Sequence, residues 1–300
     1  MTSERPWLEP LQDRLAHLVT QGGLPHAILL SAAEGWGDRQ LAQWLAMTIL
    51  GVDVAQEPTE LAHPDLRWVV PDGQEIKVDA VRGLQDFAFS TPQLGMAKVI
   101  VFEDAHLLNV AAANALLKTL EEPPAGTFVV LASCHAGRLL PTIRSRCQRF
   151  HVASDHDLAR RWLAAAIDSR EQDAALEQRL YAHGYAPLPV AEELSAAAPP
   201  LGSVLQAALA AREPLGLLDD LLAFGPATLT AGWYRLLKGA LAGRTDLPGL
   251  SGAAPRQLVE FADELLWVRG QLLNSNSANA KLLVERLTSR WHQLGNSALH

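Results

Sequence analysis

The sequence predicts an α/β domain built on a parallel sheet, followed by an all-α region. Three observations carry this expectation. Short apolar runs alternate with helical patterns from residue 1 to about 153. The strand-like runs stop after about 154, where Ala and Leu dominate. The first run leads through a glycine-containing turn into a helical pattern, as a strand–turn–helix unit requires.

The first run is Ala27-Ile28-Leu29-Leu30, followed by Leu66-Arg67-Trp68-Val69-Val70 and Val99-Ile100-Val101-Phe102. Phe128-Val129-Val130-Leu131-Ala132 is the fourth, and Phe150-His151-Val152 gives a fifth. Runs this short and this β-branched read as strands buried on both faces, the habit of a parallel sheet. Helical segments between them imply βαβ crossovers. A helical pattern runs from Gln40 to Leu50, and another helix is expected from Asp79, with Val81 and Leu84 inward. Asn109 is placed to cap a helix over Val110 to Glu122, with Ala113, Leu116, Leu117 and Leu120 on one face. Pro123-Pro124 stops it.

Beyond 154, prolines at 187, 189, 199, 200, 214, 226, 248 and 255 punctuate helical stretches. The division expected is 1–153, 154–210 and 211–300, with a last helix from about Ala278 to Gln293. With 49% hydrophobic and 19% charged residues, the 300-residue chain has the makings of sizeable cores. A net charge of −8 argues against a protein that grips nucleic acid alone through a broad basic surface. The two cysteines, Cys134 and Cys147, supply neither a disulfide framework nor a four-cysteine zinc site, and read as free thiols of a reducing compartment. The start, Met1-Thr2-Ser3-Glu4-Arg5-Pro6-Trp7, lacks the pattern of a signal peptide, and no apolar run reaches membrane-spanning length. A cytoplasmic location without membrane partners is expected.

Chemistry concentrates in three motifs. Ser31-Ala32-Ala33-Glu34-Gly35-Trp36-Gly37-Asp38-Arg39 occupies the strand-to-helix position of a phosphate-binding loop, G-x-x-x-x-G-K-[ST]. Ala32 replaces the first glycine and Gly37 keeps the second; Asp38 replaces the lysine and Arg39 the Ser/Thr. The lysine would neutralise β- and γ-phosphate oxygens, and the hydroxyl would help hold Mg²⁺. A carboxylate about 4 Å from a phosphate charge costs on the order of 4 kcal/mol at an effective dielectric near 20. Arg39 points about one helical step from the lysine direction, which leaves open a weak rescue of anion binding. Otherwise Gly35 and Gly37 simply make a tight turn. The second motif, Val99-Ile100-Val101-Phe102-Glu103-Asp104, is an apolar strand ending in two acids, the Walker B pattern in the order Glu-Asp. It does not by itself exclude hydrolysis. The third is Leu140-Pro141-Thr142-Ile143-Arg144-Ser145-Arg146-Cys147-Gln148.

Together with Ala113-Asn114-Ala115-Leu116-Leu117-Lys118-Thr119-Leu120-Glu121-Glu122-Pro123-Pro124, this last run closely resembles the clamp-loader branch of the AAA+ ATPases. The resemblance is strong over about 24–152 and loose in the helical part, where Ala278-Asn279-Ala280-Lys281-Leu282-Leu283-Val284-Glu285 is similar to the family's last helix. With the degenerate loop, it is nearest to the non-hydrolysing subunits of the bacterial DNA polymerase III clamp loader. The resemblance implies a RecA-like AAA+ domain, a helical lid and a C-terminal collar that packs into a ring with sibling subunits. It implies that Arg146, flanked by Ser145 and Cys147, reaches as an arginine finger to ATP held by a neighbour. It further implies no intrinsic ATPase and no cofactor on this chain, with ATP and Mg²⁺ bound by partner subunits. Those partners would be ATPase subunits and a delta subunit in a hetero-oligomeric ring that loads a sliding clamp onto primed DNA.

Departures from the family pattern are informative. The stretch from Gly51 to Leu61 lacks the four cysteines of the zinc module many relatives carry, so no metal is expected. Ser133 stands where hydrolysing relatives usually have threonine, and Leu205 where a lid arginine is usual. Two competing readings stay open: an active AAA+ motor working through Arg39, and a DNA-binding adaptor. Asn114 and Lys118, one turn apart, are candidates for coupling a DNA channel to a subunit interface, or simply a solvated helix face. His63, His106 and His135 show no ligand spacing and read as structural; Trp44, Trp162, Trp233 and Trp267 read as core or interface anchors.

Overall fold

The computed structural model describes residues 5–52, 63–166, 173–196, 198–243, 250, 253–274 and 279–296. The chain divides into two compact units, Met1–Trp162 and Leu163–His300.

The first unit opens with helix α1 (Glu9–Thr20), then strand β1 (Ala27–Ser31), α2 (Asp38–Leu50) and β2 (Leu66–Val69). Two short helices, α3 (Val78–Arg82) and α4 (Gln85–Phe89), precede β3 (Lys98–Phe102). A 3₁₀ turn at Ala105–Leu107 leads to α5 (Val110–Glu121) and β4 (Thr127–Ser133). After a second 3₁₀ turn at Ala136–Arg138 come α6 (Pro141–Arg144), β5 (Gln148–His151) and α7 (His156–Ala166), whose last residues, from Leu163, belong to the second unit. The strands form one parallel sheet in the order β2-β3-β4-β1-β5.

All five expected strands are present, but burial on both faces holds only for the centre of the sheet. β1 and β3 are buried throughout and β4 nearly so, while β2 and β5, at the two edges, show partly exposed residues. Val70 falls outside β2 and is exposed. The single helix expected from Asp79 is two helices. Val81 is buried as expected and Leu84 half-buried, but the chain turns at Gly83 and Leu84 between α3 and α4. Lys98 supplies a reason for the second stop. Its buried ammonium donates to the carbonyls of Phe87 at 2.5 Å, Ala88 at 2.8 Å and Ser90, satisfying the open end of α4. Helix α2 begins at Asp38, two residues before the apolar pattern, because left-handed Gly37 forms its N-cap.

Helix α5 shows how local sequence sets the frame of the site. The Asn109 side chain accepts from the Ala112 amide at 2.9 Å, so the first turn is capped. Ala112, Ala113, Leu116 and Leu120 then pack against Leu29, Ile100, Val129 and Leu131 of the sheet.

The second unit is helical: α8 (Asp173–Ala182), α9 (Pro187–Ser195), α10 (Leu201–Ala210), α11 (Leu218–Ala223), α12 (Pro226–Leu241), α13 (Pro255–Asn274) and α14 (Ala280–Asn296). Its core draws on both sides of residue 210, from Val204 and Leu205 to Trp233, Phe261 and Trp291. The last three rings pack with centroids 5.3–5.6 Å apart, and the Trp291 indole donates to the Leu205 carbonyl at 2.9 Å. Of the expected anchors, Trp233 is fully buried, whereas Trp267 is 51% exposed with the Arg286 guanidinium over its ring. The last helix ends at Asn296 rather than Gln293, and Ala278 lies outside the described residues. So does most of the stretch expected to lack a zinc module, 53–61. Among the described residues, no helix is long and apolar enough to cross a membrane.

Candidate functional site

The carboxyl ends of parallel strands, with a helix N-terminus aimed at them, are where open α/β sheets bind ligands. Here β1 delivers the loop 32–37 to the start of α2. Gly35 and Gly37 both take left-handed backbone, φ 74° and 96°, which a side chain would strain. Trp36 between them is buried. Its ring meets Trp7 edge-on at 5.7 Å and His156 at 5.2 Å, and its carbonyl accepts from the Trp7 indole at 2.9 Å. Trp162 stacks edge-on against Trp7 at 5.1 Å. The loop is thereby bolted into an aromatic cluster.

Asp38 and Arg39 are both half-buried. The backbone amides of Asp38 and Arg39, donors that a bound phosphate would use, face the Asp38 carboxylate and pull its pKa down against burial. Burial pushes its pKa up to about 6, the neighbouring acids Asp104 and Glu103 adding to the rise. Arg39 turns to the end of β3. Its Nε lies 3.0 Å from Glu103 Oε1, and its guanidinium carbon sits 5.9 Å from the centre of the Trp68 ring. The Trp68 indole donates to the other Glu103 oxygen at 2.8 Å. Both Glu103 oxygens are therefore engaged. Asp104 stands in the left-handed region at φ 47°, and burial raises its pKa.

Three further side chains gather at the neighbouring strand ends. His106, in the 3₁₀ turn after β3, receives Ser133 Oγ at 3.2 Å from its Nδ1. Cys134 and His135, just after β4, place Sγ and Nδ1 3.1 Å apart, and the two imidazoles lie 4.9 Å apart. Burial pushes the Cys134 thiol up to about 12, with Asp38, Asp104 and Glu34 adding to the rise, and burial lowers the pKa of His106. Leu205, at the expected lid-arginine position, is fully buried in the core of the second unit.

The arginine segment is built differently. Pro141 starts the one-turn helix α6, and Ile143 anchors it in the core. Arg144 and Arg149 are exposed, with Arg149 Nε donating to Ser31 Oγ at 3.2 Å. Arg146 is half-buried. Its Nε donates to Glu121 Oε1 at 2.6 Å, a second nitrogen pairs with the same oxygen, and the third donates to the Thr142 carbonyl at 2.9 Å. Ser145 Oγ donates to the same carbonyl at 3.1 Å. Cys147 packs against the core, and burial pushes its thiol up to about 12. Asn114 and Lys118 are both exposed on α5.

Gly35, Gly37, Asp38, Arg39, Glu103 and Asp104 thus come together, while Ser145, Arg146 and Cys147 form a segment of their own in the turn between α6 and β5. Sequence reasoning missed the Arg39–Glu103 pair, the Trp36 cluster and the meeting of His106 with Cys134 and His135. The tryptophan inside the loop was a readable signal. The histidine–cysteine meeting had none, since it depends on adjacent placement of β3 and β4.

Comparison with other proteins agrees with this architecture. Residues 8–156 match the family model described as "DNA polymerase III, delta subunit". The DNA polymerase III subunit delta' of Pseudomonas aeruginosa is 32% identical, over 96% of this chain and 97% of that protein. The Escherichia coli subunit delta' is 38% identical over 57% of this chain and 55% of its own length. A solved structure of a Thermotoga maritima DNA polymerase III gamma subunit-related protein shares the fold, with TM-score 0.57 and 18% identity over 95% of this chain and 99% of that one. On the likeness that runs the length of the Pseudomonas protein, the chain belongs to the delta' subunit family of DNA polymerase III.

Proposed function

We propose that this chain is the non-hydrolysing stator of a DNA polymerase III clamp loader in the cytoplasm. In this reading it holds a hetero-oligomeric ring of ATPase subunits and a delta subunit. It presents Arg146 to ATP and Mg²⁺ bound by a neighbour, and the ring places a sliding clamp on primed DNA. Residues 154–210 would serve as the lid and 211–300 as the collar.

The observation that carries the reading is the charge arrangement at α2. A phosphate would need the first amides of the helix, and there the Asp38 carboxylate already stands. A magnesium ion would need a hydroxyl at position 39 and a free carboxylate at 103. An arginine stands at 39 and pairs with Glu103 instead. An internal anion and an internal cation replace nucleotide and metal. Arg146 supports the other half of the proposal: its guanidinium is partly exposed, held in the turn after a one-turn helix by a surface ion pair. A trans-acting arginine is worth about 10³–10⁵ in rate in P-loop enzymes, because it stabilises charge on the transferring phosphoryl group.

The test has two arms. The purified chain should show no saturable Mg-ATP binding up to millimolar nucleotide. Arg146→Ala should fold and assemble with its partners, yet lower the ATPase of the reconstituted complex at least tenfold. Tight binding by the chain alone would turn the assignment to a motor subunit, and an unchanged ATPase in the Arg146→Ala complex would remove the finger.

A further inference from the structure

We infer that His106, Cys134 and His135 form a binding site for a zinc-like transition-metal ion, stapling the turn after β3 to the turn after β4. One ligand atom from each of the three residues lies within 4.8 Å of the other two. Ligands of a tetrahedral ion bonded at roughly 2.0–2.3 Å stand a little closer together than this, so small side-chain rotations close the site. Two imidazoles and a thiolate are a donor set for zinc, cobalt or copper, not for magnesium or calcium.

A further feature favours an ion here. Ser133 Oγ is hydrogen-bonded to His106 Nδ1, which fixes the ring and leaves Nε2 to coordinate, the outer-shell support that metal-bound histidines need. Cys134 binds as the thiolate, so uptake of the ion releases its proton to solvent. The fourth position is left to water. The site lies on the strand-end turns of the sheet and uses none of residues 51–61. It is independent of whether the chain binds nucleotide.

Cobalt(II) titration of the full chain, freed of metal by chelation, tests the inference optically. One equivalent should bring a thiolate-to-cobalt charge-transfer band with the intense visible bands of a tetrahedral ion. Zinc should abolish both, and excess Mg²⁺ should not. Cys134→Ser should remove the charge-transfer band, His106→Gln and His135→Gln should each weaken cobalt binding tenfold or more, and Cys147→Ser should change nothing. If Cys134→Ser fails to fold by circular dichroism, the two histidine variants decide. Absence of the band, its survival in Cys134→Ser, its loss in Cys147→Ser, or unaltered affinity in both histidine variants would overturn the site.

Discussion

The loop at the start of α2 and the arginine segment around α6 are both rich in charge, yet they use it in opposite ways. At α2 the charges face each other: Asp38 on the helix amides, Arg39 on Glu103, and Glu103 shared with the Trp68 indole. Around α6 the guanidiniums of Arg144 and Arg149 stand exposed, and Arg146 is held by a partner that is itself about half exposed. Arg39 and Glu103 are 30% and 19% exposed and Glu103 has the Trp68 indole as a second partner, so parting them costs more than parting a surface pair worth about 0–1 kcal/mol, such as Arg146 with its 47%-exposed Glu121. The first region is therefore closed to an outside ligand, and the second can be lent to one.

The largest effect should come from undoing the closure. Ala32→Gly with Asp38→Lys and Arg39→Thr restores the loop pattern, removes the carboxylate from the helix amides and frees Glu103 for magnesium. Replacing a repulsion on the order of 4 kcal/mol by an attraction should raise Mg-ATP affinity by about a thousandfold or more, readable by calorimetry as new saturable binding below millimolar. A folded triple variant that still ignores nucleotide would shift the cause of closure to the Trp36 cluster, which pins the loop irrespective of charge.

How much of this was legible beforehand differs between the two regions for a physical reason. The strands, the Asn109 cap and the stop after α5 follow from local periodicity, capping chemistry and proline, all written within a few residues. The arginine run was likewise visible as a run. The closure was legible only as a loss, through Asp38 and Arg39 in the wrong places. That Arg39 would find Glu103, 64 positions away, depends on β3 and the α2 N-terminus sharing one end of the sheet. The stop at the end of α4 had no local signal, because Lys98 acts on it from β3, beyond any local pattern.

A smaller effect should appear in stability. Asp38 has a folded-state pKa of about 6 against an ordinary 3.8, so the folded chain holds this proton more tightly than the unfolded one. Its burial therefore costs nothing below about pH 4, and the cost grows as pH rises through 6. Asp38→Asn, which keeps an oxygen acceptor for the helix amides, should stabilise the protein at pH 7.5 by about 1–2 kcal/mol. That is less than the full shift would give, since the group is half-exposed. Urea melts at pH 7.5 and pH 4 check it: the gain should vanish at the lower pH. An equal gain at both would assign it to packing rather than charge.

The smallest effect probes the lent region. All three guanidinium nitrogens of Arg146 are engaged within the chain, two with Glu121 and one with the Thr142 carbonyl. To reach a phosphate on a neighbour it must leave Glu121. A pair whose members are 33% and 47% exposed is worth up to about 1 kcal/mol, so releasing it costs at most about a fivefold change in equilibrium. Glu121→Gln should leave the melting temperature nearly unchanged. Titrated into the remaining clamp-loader subunits, it should reach half-maximal ATPase at a concentration up to about fivefold lower than the parent chain. A loss as deep as that expected for Arg146→Ala would reverse the role of Glu121. The carboxylate would then be aiming the arginine at the neighbour's nucleotide rather than holding it back, and the ion pair would have to persist in the assembled ring.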